Sequence, residues 1–165
     1  MSGWIKTCLL GLALLSVVSC EVRPQKCRYK PGPVFSARLP HVLQYNFEGE
    51  GAQSLESVLL DTGVLLEVEQ EVCDLTQQEF RFGVKGDYNK YADDAWLQEA
   101  VRQFVFLSTL SPAQIPLKIW ADAIEDARPQ MRLGEEHELQ PGIYVSVDKV
   151  VGPEESVLIV RLIQK

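Results

Sequence analysis

Between Val64 and Val72 the chain alternates strictly enough to fix its own conformation. Leu66, Val68 and Val72 fall on one side of an extended backbone, and Glu67, Glu69 and Glu71 fall on the other. That pattern describes a strand with one face in a core and the other in water, the habit of antiparallel sheets. Asp61-Thr62-Gly63 just before it is a tight-turn signal between apolar runs, so the strand is expected to fold back on Leu55–Leu60 as a hairpin. Val42–Gly49, followed by the turn-prone Gly49-Glu50-Gly51, and Phe80–Val84 read as two further strands.

The period then changes from two to 3.6. A helix is predicted from a cap at Asp93 or Asp94 to about Thr109, with Leu97, Ala100, Val101, Phe104 and Leu107 or Ser108 on one face. Ser111-Pro112-Ala113-Gln114 has the form of a capping box with proline in the first turn. It leads into a second helix carrying Ile119, Trp120, Ala123, Ile124 and Ala127, which ends before Pro129. Ile143–Val151 and Ser156–Ile163 are rich in β-branched residues, and Gly152-Pro-Glu-Glu155 joins them as a hairpin. Strands, two helices and a final hairpin give an α+β expectation: an antiparallel sheet with both helices on one face, and Trp96 and Trp120 as core anchors. Residues 39–165 are expected to form one globular domain.

The first 20 residues have a separate character. Lys6 precedes an apolar run from Cys8 to Val18, which is too short for a bilayer that requires roughly 20 helical residues. Val17-Val18-Ser19-Cys20 then closes it. A charge, a short apolar stretch and small residues before a cysteine have the form of a secretory signal, residues 1–19, ending in a lipobox. Over Met1 to about Val22 the chain resembles bacterial lipoproteins. The resemblance implies that Cys20 receives diacylglycerol on its thiol and a fatty acyl chain on its new amino group, anchoring the protein in the cell envelope. In enterobacterial lipoproteins aspartate after the cysteine favours the inner membrane. With Glu21 there, the resemblance implies the outer membrane, facing the periplasm. Plain cleavage after Ser19 is the alternative, and Val17 and Ser19 suit it too.

Cysteine arithmetic bears on that choice. Once the leader and Cys8 are gone, Cys20, Cys27 and Cys73 remain, an odd number for an oxidising compartment. Lipidation of Cys20 leaves Cys27 and Cys73 as a disulfide pair, closing a loop of about 46 residues that contributes roughly 4 kcal/mol by the chain-entropy estimate.

Charge is divided between two segments. Residues 21–38 carry Arg23, Lys26, Arg28, Lys30 and Arg38 against Glu21 alone, together with Pro24, Pro31 and Pro33. Residues 20–38 therefore read as a lipidated, basic, extended tether, either lying on anionic headgroups or serving as a solvated spacer. The body, residues 39–165, holds 10 basic and 22 acidic side chains, a net −12. Such a body is unsuited to nucleic acid, which needs clustered positive charge.

No motif for nucleophilic, nucleotide or zinc chemistry occurs. His41 and His137 are the only histidines and read as surface residues, so no His-rich metal site and no cofactor is expected. Asp61-Thr62-Gly63 matches the aspartic protease triplet, but that chemistry needs two aspartates sharing a proton, so the turn reading prevails. Glu67, Glu69 and Glu71 remain as the sharpest surface feature: three carboxylates about 7 Å apart on one strand face, with Asp74 and Glu79 extending them. A solvated strand face is one reading, and a docking face for a basic partner is the other. The expectation is a non-enzymatic, membrane-anchored envelope lipoprotein that binds a basic envelope protein, as an inhibitor, immunity-type or accessory factor. A small enzyme using those carboxylates is the alternative.

Overall fold

The computed structural model describes residues 30–73, 76–85 and 90–165. Cys8, Cys20, Cys27 and Asp74 lie outside the described residues. In chain order come β1 (Val42–Glu50), β2 (Gln53–Leu60), β3 (Leu65–Val72), β4 (Thr76–Lys85), α1 (Asp93–Ser108), α2 (Pro116–Ala127), β5 (His137–Gln140), β6 (Ile143–Val151) and β7 (Glu155–Gln164). The strands make one seven-stranded sheet in the order β1-β2-β3-β4-β7-β6-β5, and every neighbouring pair is antiparallel. The fold is α+β, as the change of period predicts.

Turn chemistry sets the registers. At the β2–β3 corner Gly63 adopts φ +83° while its N–H donates to the Leu60 carbonyl at 2.9 Å, a backbone state that glycine enters without steric cost. Gly152 packs so closely that an added Cβ would meet the Glu155 carbonyl oxygen at 2.6 Å, which closes the β6–β7 hairpin tightly. The first turn sets Val58 opposite Leu66 and the second sets Val150 opposite Val157; in the ladders between them Leu66 pairs with Phe82, Val68 with Phe80, and Phe80 with Val160.

Both helices lie on the face bearing those residues. Phe104 of α1 sits 5.0 Å from Phe80 and 6.1 Å from Phe82, ring to ring. Trp96, Leu97, Ala100 and Leu107 join Val58, Leu66, Val145, Val147, Leu158 and Val160 in the same buried cluster. Each fully buried side chain of this size contributes about 1.5–3 kcal/mol.

Local details differ from the sequence expectations. The Ser111 hydroxyl does cap, accepting from the Ala113 N–H, but it caps a single 3-10 turn at Pro112–Gln114, and α2 begins later with Pro116 in its first turn. With that start the buried stripe is Leu117, Ala121 and Ile124, flanked by half-buried Trp120 and Ala127, and Ile119 turns outward at 69% exposure. Neither Asp93 nor Asp94 is the α1 cap; Ala92 holds that place and the two acids occupy the first turn, where the helix dipole favours them. The short β5 is absent from the sequence expectation because four residues, three of them polar, carry almost no periodic signal.

The helices favour one half of the sheet, α1 packing on β6 and β7 and α2 on β5. The other half, β1 to β3, is covered by the chain that precedes it. Phe35 is buried to 4% exposure in the core cluster, against which Val34 and Leu39 also pack. Residues from Val34 onward therefore belong to the folded body.

Candidate functional site

Register places the glutamates with strangers from neighbouring strands. Glu69 lies opposite Leu55, which lies opposite Glu48; Glu71 lies opposite Gln53, which lies opposite Glu50. On the far side Glu69 faces Glu79 and Glu71 faces Gln77 of β4. Residues paired across antiparallel strands share a face, so all of these project from the surface the helices leave open. Glu48, Glu50, Glu69 and Glu71 border a cleft of about 520 Å³ that also takes in Gln53, Leu55 and Gln77. Glu48, Glu50, Glu69 and Glu71 are all exposed, and Leu55 gives the cleft an apolar spot at 36% exposure.

Cations answer only part of this charge. Arg81 donates to Glu69 at 2.9 Å and through Nε to Glu79 at 2.5 Å, and Arg161 donates to the other Glu79 oxygen. Glu79, only 5% exposed, is thus a structural carboxylate clamped between two arginines at the centre of the sheet. Burial pulls the Arg81 guanidinium down, but Glu79, Glu69 and Glu67 outweigh it and hold the group above its ordinary value. Glu48 accepts from Asn46 at 3.0 Å. Among the described residues no cation pairs with Glu48, Glu50 or Glu71.

The three glutamates singled out from the sequence are therefore unequal. Glu71 and Glu69 line the cleft, whereas Glu67 is half-buried, outside it, and opposite Arg81. Sequence reasoning missed Glu48 and Glu50. Their signal was present in the alternation of Asn46, Glu48 and Glu50 on β1, and the Gly51 turn (φ +62°) folds that face beside β2.

A second polar cluster lies on the opposite, buried face. Glu56 has 0% exposure, yet its two carboxylate oxygens accept the Val34 and Phe35 N–H groups, each at 2.8 Å. Gln70 donates to the Gly32 carbonyl at 2.7 Å, and Gln114 donates to the Val34 carbonyl at 2.8 Å. The phenol of Tyr45 bonds to Glu56 and is pushed up to about 12, by burial first and then by the carboxylate's charge and hydrogen bond.

Of the remaining candidates, His41 is exposed, adopts φ +67°, and sets Nδ1 2.8 Å from an Asp61 carboxylate oxygen with its ring edge-on to Phe106. His137 is half-buried on β5. Asp61-Thr62-Gly63 is the β2–β3 turn. Cys73 is disulfide-bonded. Among the described residues no group of three or more His, Cys, Asp or Glu side chains is placed to hold a metal ion, and no helix is long and apolar enough to cross a membrane.

No family model, curated protein or solved structure matches this chain.

Proposed function

We propose that this protein is a lipid-anchored envelope lipoprotein that binds a basic partner protein through the cleft on the open face of its sheet. The observation that carries the reading is the set of four carboxylates, Glu48, Glu50, Glu69 and Glu71, around one concavity where a single arginine reaches one of them. Like charges held this close repel, and a lysine or arginine side chain entering the cleft relieves that repulsion. Leu55 offers contact for the methylene stem of such a side chain. Net charge of −12 on residues 39–165 adds long-range attraction for a basic protein and raises its encounter rate.

The anchor reading rests on Lys6, the apolar run and Val17-Val18-Ser19-Cys20, with Cys27 as the disulfide partner of Cys73. An inhibitor, immunity-type or accessory role follows from holding a basic, envelope-acting protein at the membrane.

The test is crosslinking in intact cells from a photoreactive residue at Gln53 or Gln77, with Lys118 on α2 as the control position. A basic envelope protein captured from the cleft positions and not from α2 supports the reading. Equal capture from both, or loss of none of it in the Glu50→Gln/Glu71→Gln variant, ends it. Mass analysis of the mature amino terminus tests the anchor: an acylated Cys20 is expected, and an unmodified start elsewhere refutes it.

A further inference from the structure

Glu56, Gln70 and Gln114 are three buried polar side chains from β2, β3 and the 3-10 turn before α2. The four hydrogen bonds that join them to the preceding chain all go to main-chain atoms of Gly32, Val34 and Phe35, while Tyr45, Gln78 and Ser111 brace the three side chains from behind. Such an arrangement reads a backbone bent at Val34 and Phe35, whose consecutive N–H groups meet one carboxylate, and selects by shape through the pocket that Phe35 fills. Beside it Ser54, the cross-strand neighbour of Gln70, is 7% exposed and its hydroxyl has no partner. A buried hydroxyl left unpaired costs about 1–3 kcal/mol, so the cradle has capacity for one more main-chain group than it now holds.

Residues 30–35 form the strap across this cradle. Downstream the chain is fixed at once, since Leu39 donates to the Ser36 carbonyl and β1 begins at Val42. Upstream, Cys73 is disulfide-bonded three residues beyond Gln70, and every other cysteine of the chain (Cys8, Cys20 and Cys27) precedes the strap in sequence. The Cys73 disulfide therefore ties the end of β3 to the chain on the upstream side of the strap.

We propose that the cradle is a binding site for a peptide bent at an aromatic residue, filled by the protein's own strap and locked by the Cys73 disulfide. A dithiol reductant opens the lock by thiol–disulfide exchange. One thiolate of the dithiol attacks a disulfide sulfur, its second thiol resolves the mixed disulfide, the dithiol leaves as a disulfide, and the two cysteines carry away two electrons and two protons as thiols. The strap then exchanges with peptide in trans, against its own effective concentration of order millimolar.

The experiment uses the full chain, oxidised and after reduction with dithiothreitol, and follows amide hydrogen exchange at Val34 and Phe35. Reduction is expected to speed exchange at both at least tenfold while the amides of β7 keep their rates. Millimolar Lys-Pro-Gly-Pro-Val-Phe-Ser-Ala-Arg, the sequence of residues 30–38, is expected to bind the reduced protein and to leave the oxidised protein untouched. The same peptide with alanine in place of phenylalanine is expected to bind neither. Unchanged exchange on reduction overturns the lock, and equal binding of the two peptides, or of the peptide to both redox forms, overturns the site. Ser54 and Gln70 also border the acidic cleft, but exchange at Val34 and Phe35 and binding of the strap peptide are read without any cleft ligand, so they stand or fall apart from the proposed docking of a basic partner.

Discussion

Replacing Glu56 by glutamine changes no volume and removes one acceptor oxygen at a place where two are in use. In the native protein one carboxylate oxygen takes the Val34 N–H and the other the Phe35 N–H, at 2.8 Å each. The glutamine amide offers an oxygen to one of them and turns its own N–H groups on the other, leaving a buried donor unsatisfied at a cost of about 1–3 kcal/mol. The bond that survives loses its charge assistance, roughly another 1 kcal/mol. Against this, a neutral side chain no longer has to be desolvated as an ion, which returns part of the loss. The expected net destabilisation is about 2–3 kcal/mol, or a fall in Tm of about 6–12 °C for a domain of this size. Urea unfolding read by circular dichroism measures it, with the slope m unchanged because the buried area is the same. A Glu56→Gln protein within about 0.5 kcal/mol of wild type would refute the claim that the carboxylate holds the strap, by the same unfolding criterion.

Further expectations concern the core, the sheet centre and alkaline pH. Phe104→Ala is expected to cost about 3–5 kcal/mol in the same unfolding assay, because the ring fills the space between Phe80 and Phe82. Glu79→Ala leaves Arg81 and Arg161 facing each other across the sheet and is expected to cost about 2 kcal/mol, reduced in high salt. Tyr45 keeps its proton in the folded state up to about 12 and releases it near 10 when unfolded, so its stabilisation is complete below pH 10 and fades as pH rises towards 12. Tyr45→Phe is therefore expected to show a shallower loss of stability than wild type between pH 10 and 12.

Much of the sheet was legible because turn residues and alternation agree. Gly63, Gly51 and Gly152 each mark a corner, and the Leu66/Val68 alternation states which face of β3 is wet. The strap was not legible: its prolines and charges read as a tether, and only three-dimensional packing shows Phe35 in the core. Glu56 was hidden for a related reason. Leu55, Val58, Leu59 and Leu60 make β2 apolar on both faces, so period two cannot say that the glutamate points inward. Half of the cleft was readable in Glu69 and Glu71. Glu48 and Glu50 join them only through the β1–β2 register, a non-local fact that no local pattern carries.

The cleft is the centre of the functional reading, and titration calorimetry with a tetralysine peptide tests it most directly. Wild-type protein is expected to bind at low salt and to lose affinity as salt rises through a Debye length of about 10 Å at 0.1 M. The variant Glu48→Gln/Glu50→Gln/Glu71→Gln is expected to lose at least tenfold in affinity while its Tm stays close to wild type, since none of the three carboxylates meets a cation among the described residues. Undiminished binding and an undiminished salt dependence in that variant would contradict the account.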